Sequence, residues 1–214
     1  MSLEQLKRDF DRDGYVVLRG FLSPGELEEL RARAEGCLSE VERGEEYPGV
    51  VKNLNRVDSW FEDQLQHGRQ RELISALLDD DLEPATAAWF ARLPGETSGI
   101  RPHLDAVGHR QKGATIWIAL DRADRENGCL YYARGTHRRE LPSVVGLEGF
   151  SAESEEAVAV EVEPGDAAIH SSLTVHWSEA NRSRRSRQAI SYFYWAASLE
   201  SETVAAETLK RVEE

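Results

Sequence analysis

His103 and Asp105 stand two residues apart in "RPHLDAVG", and His176 follows 71 residues after Asp105, beyond "VEVEPGDAAIHSSL". On a β-strand, positions i and i+2 share a face, so an imidazole and a carboxylate at that spacing project side by side. The pair alone is a weak signal. In a chain with 39 acidic residues and six histidines it reads equally as a surface histidine beside a solvated carboxylate. His176 alone reads as a hydrogen-bonded structural histidine. Together, two histidines and a carboxylate on neighbouring strands would form a facial triad with open coordination positions, the arrangement suited to non-haem Fe(II).

A second group of residues raises a different chemistry. "VHWSEANRSRRSRQAISYFYW" gathers four arginines in a chain of 214 residues whose formal net charge is -13. If a strand begins near Ser186, alternation places Arg187, Ala189, Ser191 and Phe193 on one face and Gln188, Ile190, Tyr192 and Tyr194 on the other. Arg182, Arg184 and Arg185 precede it in a turn marked by Asn181 and read as solvated loop charges. An inward Arg187 is different, because burying a guanidinium is costly unless an anion meets it. Its planar fork suits a carboxylate held bidentately.

The elements that would carry these residues are legible from periodicity. Leu3, Leu6 and Phe10 predict a helix over residues 3–13, broken by Gly14 ahead of the β-branched "YVVLRG". Ser23, Pro24 and Glu26 form a capping box that starts a second helix, expected to run to about residue 42. A polar, irregular stretch follows, then a helix across "RELISALLDDDL". After residue 84 short runs rich in Ala, Val, Ile, Trp and Tyr alternate with Gly, Pro, Asn and Asp: "TAAWFARL", "ATIWIALD", "CLYYARG", "AVAVEVEPGD", "AAIHSS" and "QAISYFYWAA". Pro164, Gly165 and Asp166 mark a tight turn. This predicts an antiparallel sandwich or barrel with helices packed outside it, and a charged, frayed surface segment from residue 199 onward.

Composition narrows the partners. The length fits one domain. No apolar run approaches the roughly 18 residues of a membrane span. Cys37 and Cys129 are too few for a disulfide framework, and the N-terminus lacks a secretory pattern, so the expected setting is a reducing cytoplasm. The acidic balance disfavours phosphate-dominated DNA or RNA binding and favours a small-molecule partner. The sequence leaves the oligomeric state open.

His103, Asp105, His176 and Arg187, in that order and with "GYVVLRGFLSPGELEEL" near the start, resemble the phytanoyl-CoA dioxygenase family of Fe(II)/2-oxoglutarate-dependent oxygenases. The run "TIWIALDRADRENGCLYYARGTH" is similar to that family's stretch between H-x-D and the distal histidine, and the likeness covers about residues 10–195. It implies a mainly β fold with flanking helices, a double-stranded β-helix (jelly-roll, cupin-like) barrel. The whole of 1–214 would be one dioxygenase domain, helical in about 1–83 and barrel in about 84–196. It implies that His103, Asp105 and His176 ligate Fe(II). It also implies that Arg187, eleven residues after His176, binds the distal carboxylate of 2-oxoglutarate with Ser178 as a hydrogen-bonding neighbour. Trp117 matches a position that walls the cosubstrate pocket in relatives, and is otherwise a core tryptophan; Lys52, Asn53 and Asn55 fall near polar contacts of some relatives.

The implied reaction consumes O2 and 2-oxoglutarate, releases succinate and CO2, and hydroxylates or otherwise oxidises a small molecule. Asp105 disfavours halogenation, because halogenating relatives carry Ala or Gly there. "RGTH" stands where Pro-Gly-Ser-His is usual, which predicts a looser turn at Arg134. His137 reads as a turn residue, His170 as a core group beside the metal, and His109 as facing substrate or solvent. The competing readings are a non-catalytic metal-binding β-barrel, and a nucleic-acid demethylase using Arg182, Arg184 and Arg185 for phosphates.

Overall fold

The first helix, α1 (Leu3–Asp13), begins where the Ser2 hydroxyl accepts the Gln5 N–H and buries Leu6 and Phe10. The computed structural model describes residues 1–41, 49–106 and 112–198, so His109 and the C-terminal segment lie outside the described residues. Gly14 ends α1 with φ 83°, and a Cβ there would lie 2.5 Å from both His137 Nδ1 and Thr174 Oγ1. Glycine therefore satisfies both the left-handed turn and the close approach. Strand β1 (Tyr15–Leu18) follows directly.

Helix α2 (Pro24–Leu38) opens on the expected capping box of Ser23 and Glu26. It stops short of residue 42, because the Ser39 hydroxyl donates to the Gly36 carbonyl (2.7 Å) and draws the chain into a turn. After β2 (Val50–Lys52) comes a helix that periodicity did not predict, α3 (Ser59–His67), capped by Asp58, whose carboxylate accepts the Trp60 N–H (2.9 Å). Helix α4 (Arg69–Leu78) carries the expected "RELISALL".

The remaining strands are β3 (Leu82–Arg92), β4 (Ile100–His103), β5 (Gly113–Ala119), β6 (Leu130–Ala133), β7 (Ala157–Val160), β8 (Ala167–Ser171), β9 (His176–Ser178) and β10 (Arg187–Ala196). They form two antiparallel sheets, in the orders β1-β8-β5-β10-β3-β2 and β4-β9-β6-β7. The fold is the double-stranded β-helix with flanking helices. Strands β1 and β2 edge the larger sheet, so the N-terminal part contributes strands as well as helices.

Alternation sorts the core into two layers. Ile116, Ile118, Ile169, Ile190, Tyr192 and Tyr194 leave the larger sheet on its outer face and pack against Leu6, Phe10, Leu30, Phe61, Leu65 and Ile74 of the helices. Trp117, Ala119, Ala168 and Ala189 leave it on the inner face and meet Leu130 and Tyr132 of the smaller sheet. Among the described residues no helix is long and apolar enough to cross a membrane, and Cys37 and Cys129 are both buried and free.

The turn at "RGTH" is held rather than loose. Thr136 is fully buried; its hydroxyl donates to the Ala133 carbonyl (2.7 Å) and accepts the Val175 N–H (3.0 Å). Those bonds supply the rigidity that a proline would otherwise bring.

Candidate functional site

His103 closes β4 and His176 opens β9, and the two strands pair with His103 directly opposite His176. Directly opposed residues put their side chains on one face, so the imidazoles meet with ring centroids 4.1 Å apart. Asp105 is not on the strand, contrary to the simple i, i+2 expectation. The chain bends after His103, where the Leu104 N–H donates to Val144 O (2.7 Å) and those of Asp105 and Ala106 to Ser172 O (3.0 and 3.1 Å). That bend carries the carboxylate over the two rings, and Asp105 Oδ1 lies 4.0 Å from His103 Nε2 and 3.7 Å from His176 Nε2. One donor atom from each residue falls within 4.8 Å of the others.

The tautomers are fixed from behind. His103 Nδ1 meets the Arg101 carbonyl (2.8 Å) and His176 Nδ1 meets the Thr174 carbonyl (3.0 Å). A carbonyl only accepts, so both Nδ1 atoms carry the proton and both Nε2 lone pairs face inward. Thr174 is itself anchored, its hydroxyl donating to the Gly14 carbonyl (2.7 Å), which ties the aim of His176 to the end of α1. Burial, and next His176, pushes the His103 imidazole down to about 4; burial, and next His170, does the same to His176. Both rings are therefore neutral at pH 7. Burial works to raise the Asp105 carboxyl, but His176, then the hydrogen bond from His170, hold it well below the usual carboxylate range.

The other oxygen of Asp105 is occupied. Oδ2 accepts from Thr115 Oγ1 (2.6 Å) and from His170 Nε2 (3.1 Å), while Tyr132 OH donates to His170 Nδ1 (2.9 Å). His170 sits beside the triad as its sequence context implied. Two neutral imidazole nitrogens and one carboxylate oxygen, each oriented by a second hydrogen bond, form a donor set that fits a divalent iron with open positions.

Two strands away, Arg187 opens β10 on the inner face, opposite Arg92 of β3, and is 2% exposed. Its guanidinium carbon lies 5.3 Å from the centroid of Trp117, which is 3% exposed. Arg187 Nε and Trp117 Nε1 are buried donors with no hydrogen-bond partner among the described residues. Burial, then the neighbouring Arg92 charge, pushes Arg187 down to about 9. Unmet buried donors on a cation are costly, and a carboxylate would satisfy them. Thr115 touches Asp105 and Trp117 touches Arg187, and these two β5 residues stand about 6.8 Å apart along the strand. A five-carbon diacid is of that scale.

The other expected residues fall in three places. Ser178, at the end of β9, accepts through Oγ from Arg92 Nε and the Ile100 N–H, both at 3.3 Å. Lys52 is exposed on the inner side of β2 and adds positive charge near His103. Asn53 and Asn55 are structural: Thr86 Oγ1 accepts the Asn53 N–H (3.2 Å), and Asn55 Oδ1 accepts the Ala87 N–H (3.1 Å) while its amide donates to Glu62 (3.0 Å). His137 lies in a short 3-10 turn, and Arg185 pairs with Asp124 (2.8 Å). Alternation puts Thr115 on the face of Trp117, but the sequence gives it no role at the carboxylate, and nothing local marks Arg92 as buried.

The sequence pattern of "Phytanoyl-CoA dioxygenase (PhyH)" matches residues 10–189, most of the chain, a range that includes His103, Asp105, His176 and Arg187. The chain belongs to the phytanoyl-CoA dioxygenase family. As a member it is an iron- and 2-oxoglutarate-dependent oxygenase of small molecules. A probable phytanoyl-CoA dioxygenase of Caenorhabditis elegans is 22% identical, over 91% of this chain and 75% of its own length. A methylphosphonate hydroxylase of Gimesia maris is 25% identical, over 89% and 79%. Among solved structures, the non-haem alpha-ketoglutarate-dependent epimerase SnoN of nogalamycin biosynthesis superposes with a TM-score of 0.79 at 25% identity, covering 91% of this chain and 83% of that one.

Proposed function

We propose that His103, Asp105 and His176 hold the iron of this phytanoyl-CoA dioxygenase family member, and that Arg187, with Trp117 beneath it and Ser178 nearby, holds the distal carboxylate of 2-oxoglutarate. One observation carries the reading: two Nε2 lone pairs and Asp105 Oδ1 converge, each fixed by a hydrogen bond on its far side. Bound iron, with the 2-oxo acid and O2, supplies oxidising chemistry that releases succinate and CO2. The residues of the chain do the rest. Arg187 orients the cosubstrate, the apolar walls from β5, β8 and β10 limit water, and His170 with Thr115 keeps Asp105 ionised and pointed inward.

The substrate is read as a small molecule, not a nucleic acid. Arg185 is engaged by Asp124 and Glu126, Arg182 and Arg184 are surface charges, and the chain carries a formal net charge of -13. The whole chain is read as one catalytic unit, since β1 and β2 complete the larger sheet and Gly14 anchors the turn before His176.

The test is an anaerobic titration of apoprotein with Fe(II) and then 2-oxoglutarate, following the visible charge-transfer band of a chelated 2-oxo acid. The band is expected in the wild type and absent in His176→Ala. Metal binding without the band in the wild type would favour the non-catalytic barrel. Replacing His170 by Phe should weaken Mn(II) binding about 10- to 100-fold, because Asp105 loses one of the two donors that orient it. Calorimetry measures this without turnover, and an unchanged affinity would remove His170 from the support of the centre.

A further inference from the structure

Tyr132 is a fully buried phenol whose redox chemistry the site has not yet used. The β6–β9 ladder sets it directly opposite His176, with ring centroids 6.3 Å apart, and its hydroxyl donates to His170 Nδ1 (2.9 Å). The β1–β8 ladder sets Tyr15 directly opposite His170. The facing sheets then bring the two tyrosines together, with ring centroids 4.7 Å apart and an interplanar angle of 31°. Tyr132 is 0% exposed, whereas Tyr15, on the edge strand β1, is only half-buried. A metal ligand, a sealed phenol and a phenol that opens to solvent therefore follow one another outward.

This succession suits the movement of an electron. Phenols are among the side chains that yield one electron most readily, and they do so when a base takes the phenolic proton in the same step. Burial pushes the Tyr132 hydroxyl well above its ordinary value, so the phenol keeps its proton at pH 7 until such a base accepts it. His170 is placed as that base. Its Nε2–H is committed to Asp105 Oδ2 (3.1 Å), which leaves the Nδ1 lone pair facing the hydroxyl. An iron oxygenase needs such a path whenever O2 and 2-oxoglutarate react with no substrate in place. The oxidising power at the metal then has only protein to attack, and its nearest targets are its own ligands.

We propose that Tyr132 and Tyr15 form a relay that carries electrons from solvent to the metal centre and so quenches oxidation that no substrate consumes. Tyr132 gives one electron to the oxidised metal and its proton to His170 Nδ1. Tyr15 then gives one electron to the Tyr132 radical, which recovers its proton from His170, while the Tyr15 proton leaves to water. An enediol reductant such as ascorbate returns a hydrogen atom to Tyr15. Each passage thus moves one electron from the reductant to the metal and one proton to solvent, and both tyrosines are restored. The inference rests on the reading of His103, Asp105 and His176 as the iron ligands.

The experiment exposes the Fe(II)-loaded protein with 2-oxoglutarate to O2 without substrate, and in parallel to hydrogen peroxide, which oxidises the metal even where O2 is not activated. Freeze-quench electron paramagnetic resonance detects a tyrosyl radical, ring-deuterated tyrosine assigns it in the wild type without mutation, and peptide mapping locates oxidised residues. A tyrosyl signal is expected in the wild type and lost in Tyr132→Phe, where oxidation of the peptides carrying His103 and His176 rises. Tyr15→Phe keeps the ring and removes only its hydroxyl. It should hold Mn(II) affinity within about a factor of two and strand the radical on Tyr132, with decay on adding ascorbate slowed about tenfold. A purely structural Tyr132 would alter metal affinity alone. A tyrosyl signal undiminished in Tyr132→Phe, or absent from the wild type with both oxidants, overturns the proposal. So does decay at the wild-type rate in Tyr15→Phe. Should Tyr132→Phe fail to fold, the labelled wild type and Tyr15→Phe decide. The anaerobic charge-transfer band separates the two levels. If the band forms and the radical results are negative, only the present inference fails; if the band is absent, the reading of the iron ligands fails as well.

Discussion

Arg187→Met is expected to bind 2-oxoglutarate about 100- to 1,000-fold more weakly than the wild type, because a carboxylate entering the site would lose its charged partner. Mn(II) affinity should stay within about a factor of two, since Arg187 touches Trp117 and not the triad. The effect on the free protein has the opposite sign. Arg187 is 2% exposed, with a buried Nε that meets no partner among the described residues. Burial and the Arg92 charge push it down to about 9, from an ordinary value of 12.5. A folded value below the unfolded one means that the charge destabilises the fold in full below about pH 9 and is relieved only as pH rises through that window. Methionine carries no such cost. At pH 7, without ligand, the variant should melt at or above the wild-type temperature. With 2-oxoglutarate at 100 times its dissociation constant, the wild type gains about 2.7 kcal/mol by linkage and the variant gains almost nothing, so the order reverses. Thermal melts with and without the cosubstrate check both signs. A variant less stable than wild type alone, yet still stabilised by 2-oxoglutarate, would place the carboxylate elsewhere.

What could be read in the sequence follows how local each signal is. The start of α1, the Ser23/Glu26 capping box and the alternation that turns Arg187 inward are set by residues a few positions apart, and they appear in the structure as expected. Helix α3 did not show itself, because only Phe61 and Leu65 of its nine residues are buried. Its place depends on packing against the distant sheet, where Phe61 meets Tyr192 at a 6.4 Å centroid distance. The H-x-D spacing named two residues that the structure brings together, but not the bend that delivers Asp105, whose N–H goes to Ser172 in the β8–β9 turn. Arg92 was invisible for the same reason. At the end of "TAAWFAR" it reads as a polar strand terminus, and only the register with β10 makes it a buried neighbour of Arg187. The triad and Arg187 were legible as a set because their order along the chain is specific to a family, whereas each residue alone has an ordinary structural explanation.

The second large effect is expected at a residue with no chemistry of its own. A Cβ on Gly99 would lie 1.7 Å from the Ser178 carbonyl oxygen, 2.6 Å from its carbon and 2.9 Å from the Glu179 carbon. All three are backbone atoms, so no side chain can swing away to relieve the clash. Ser178 is also fixed on its other side, paired with Leu130 of β6, so the strand that must yield is β4. Displacing β4 stretches the hydrogen bond from the Ile100 N–H to Ser178 and slides His103 past His176, its partner in the ladder. Gly99→Ala should therefore cost about 1–3 kcal/mol or more in urea unfolding and weaken Mn(II) binding at least about tenfold in the protein that remains folded. Gly95 in the same connection is the control. It has φ 82° and nothing within 4 Å of an added Cβ, so Gly95→Ala should cost about 1–2 kcal/mol of backbone strain and leave Mn(II) affinity at the wild-type value. Equal metal affinity in the two variants would mean that His103 is held by its own turn and not by the β4–β9 ladder. A loss confined to Gly99→Ala would assign the alignment of the two histidines to the absence of one methyl group four residues before the first of them.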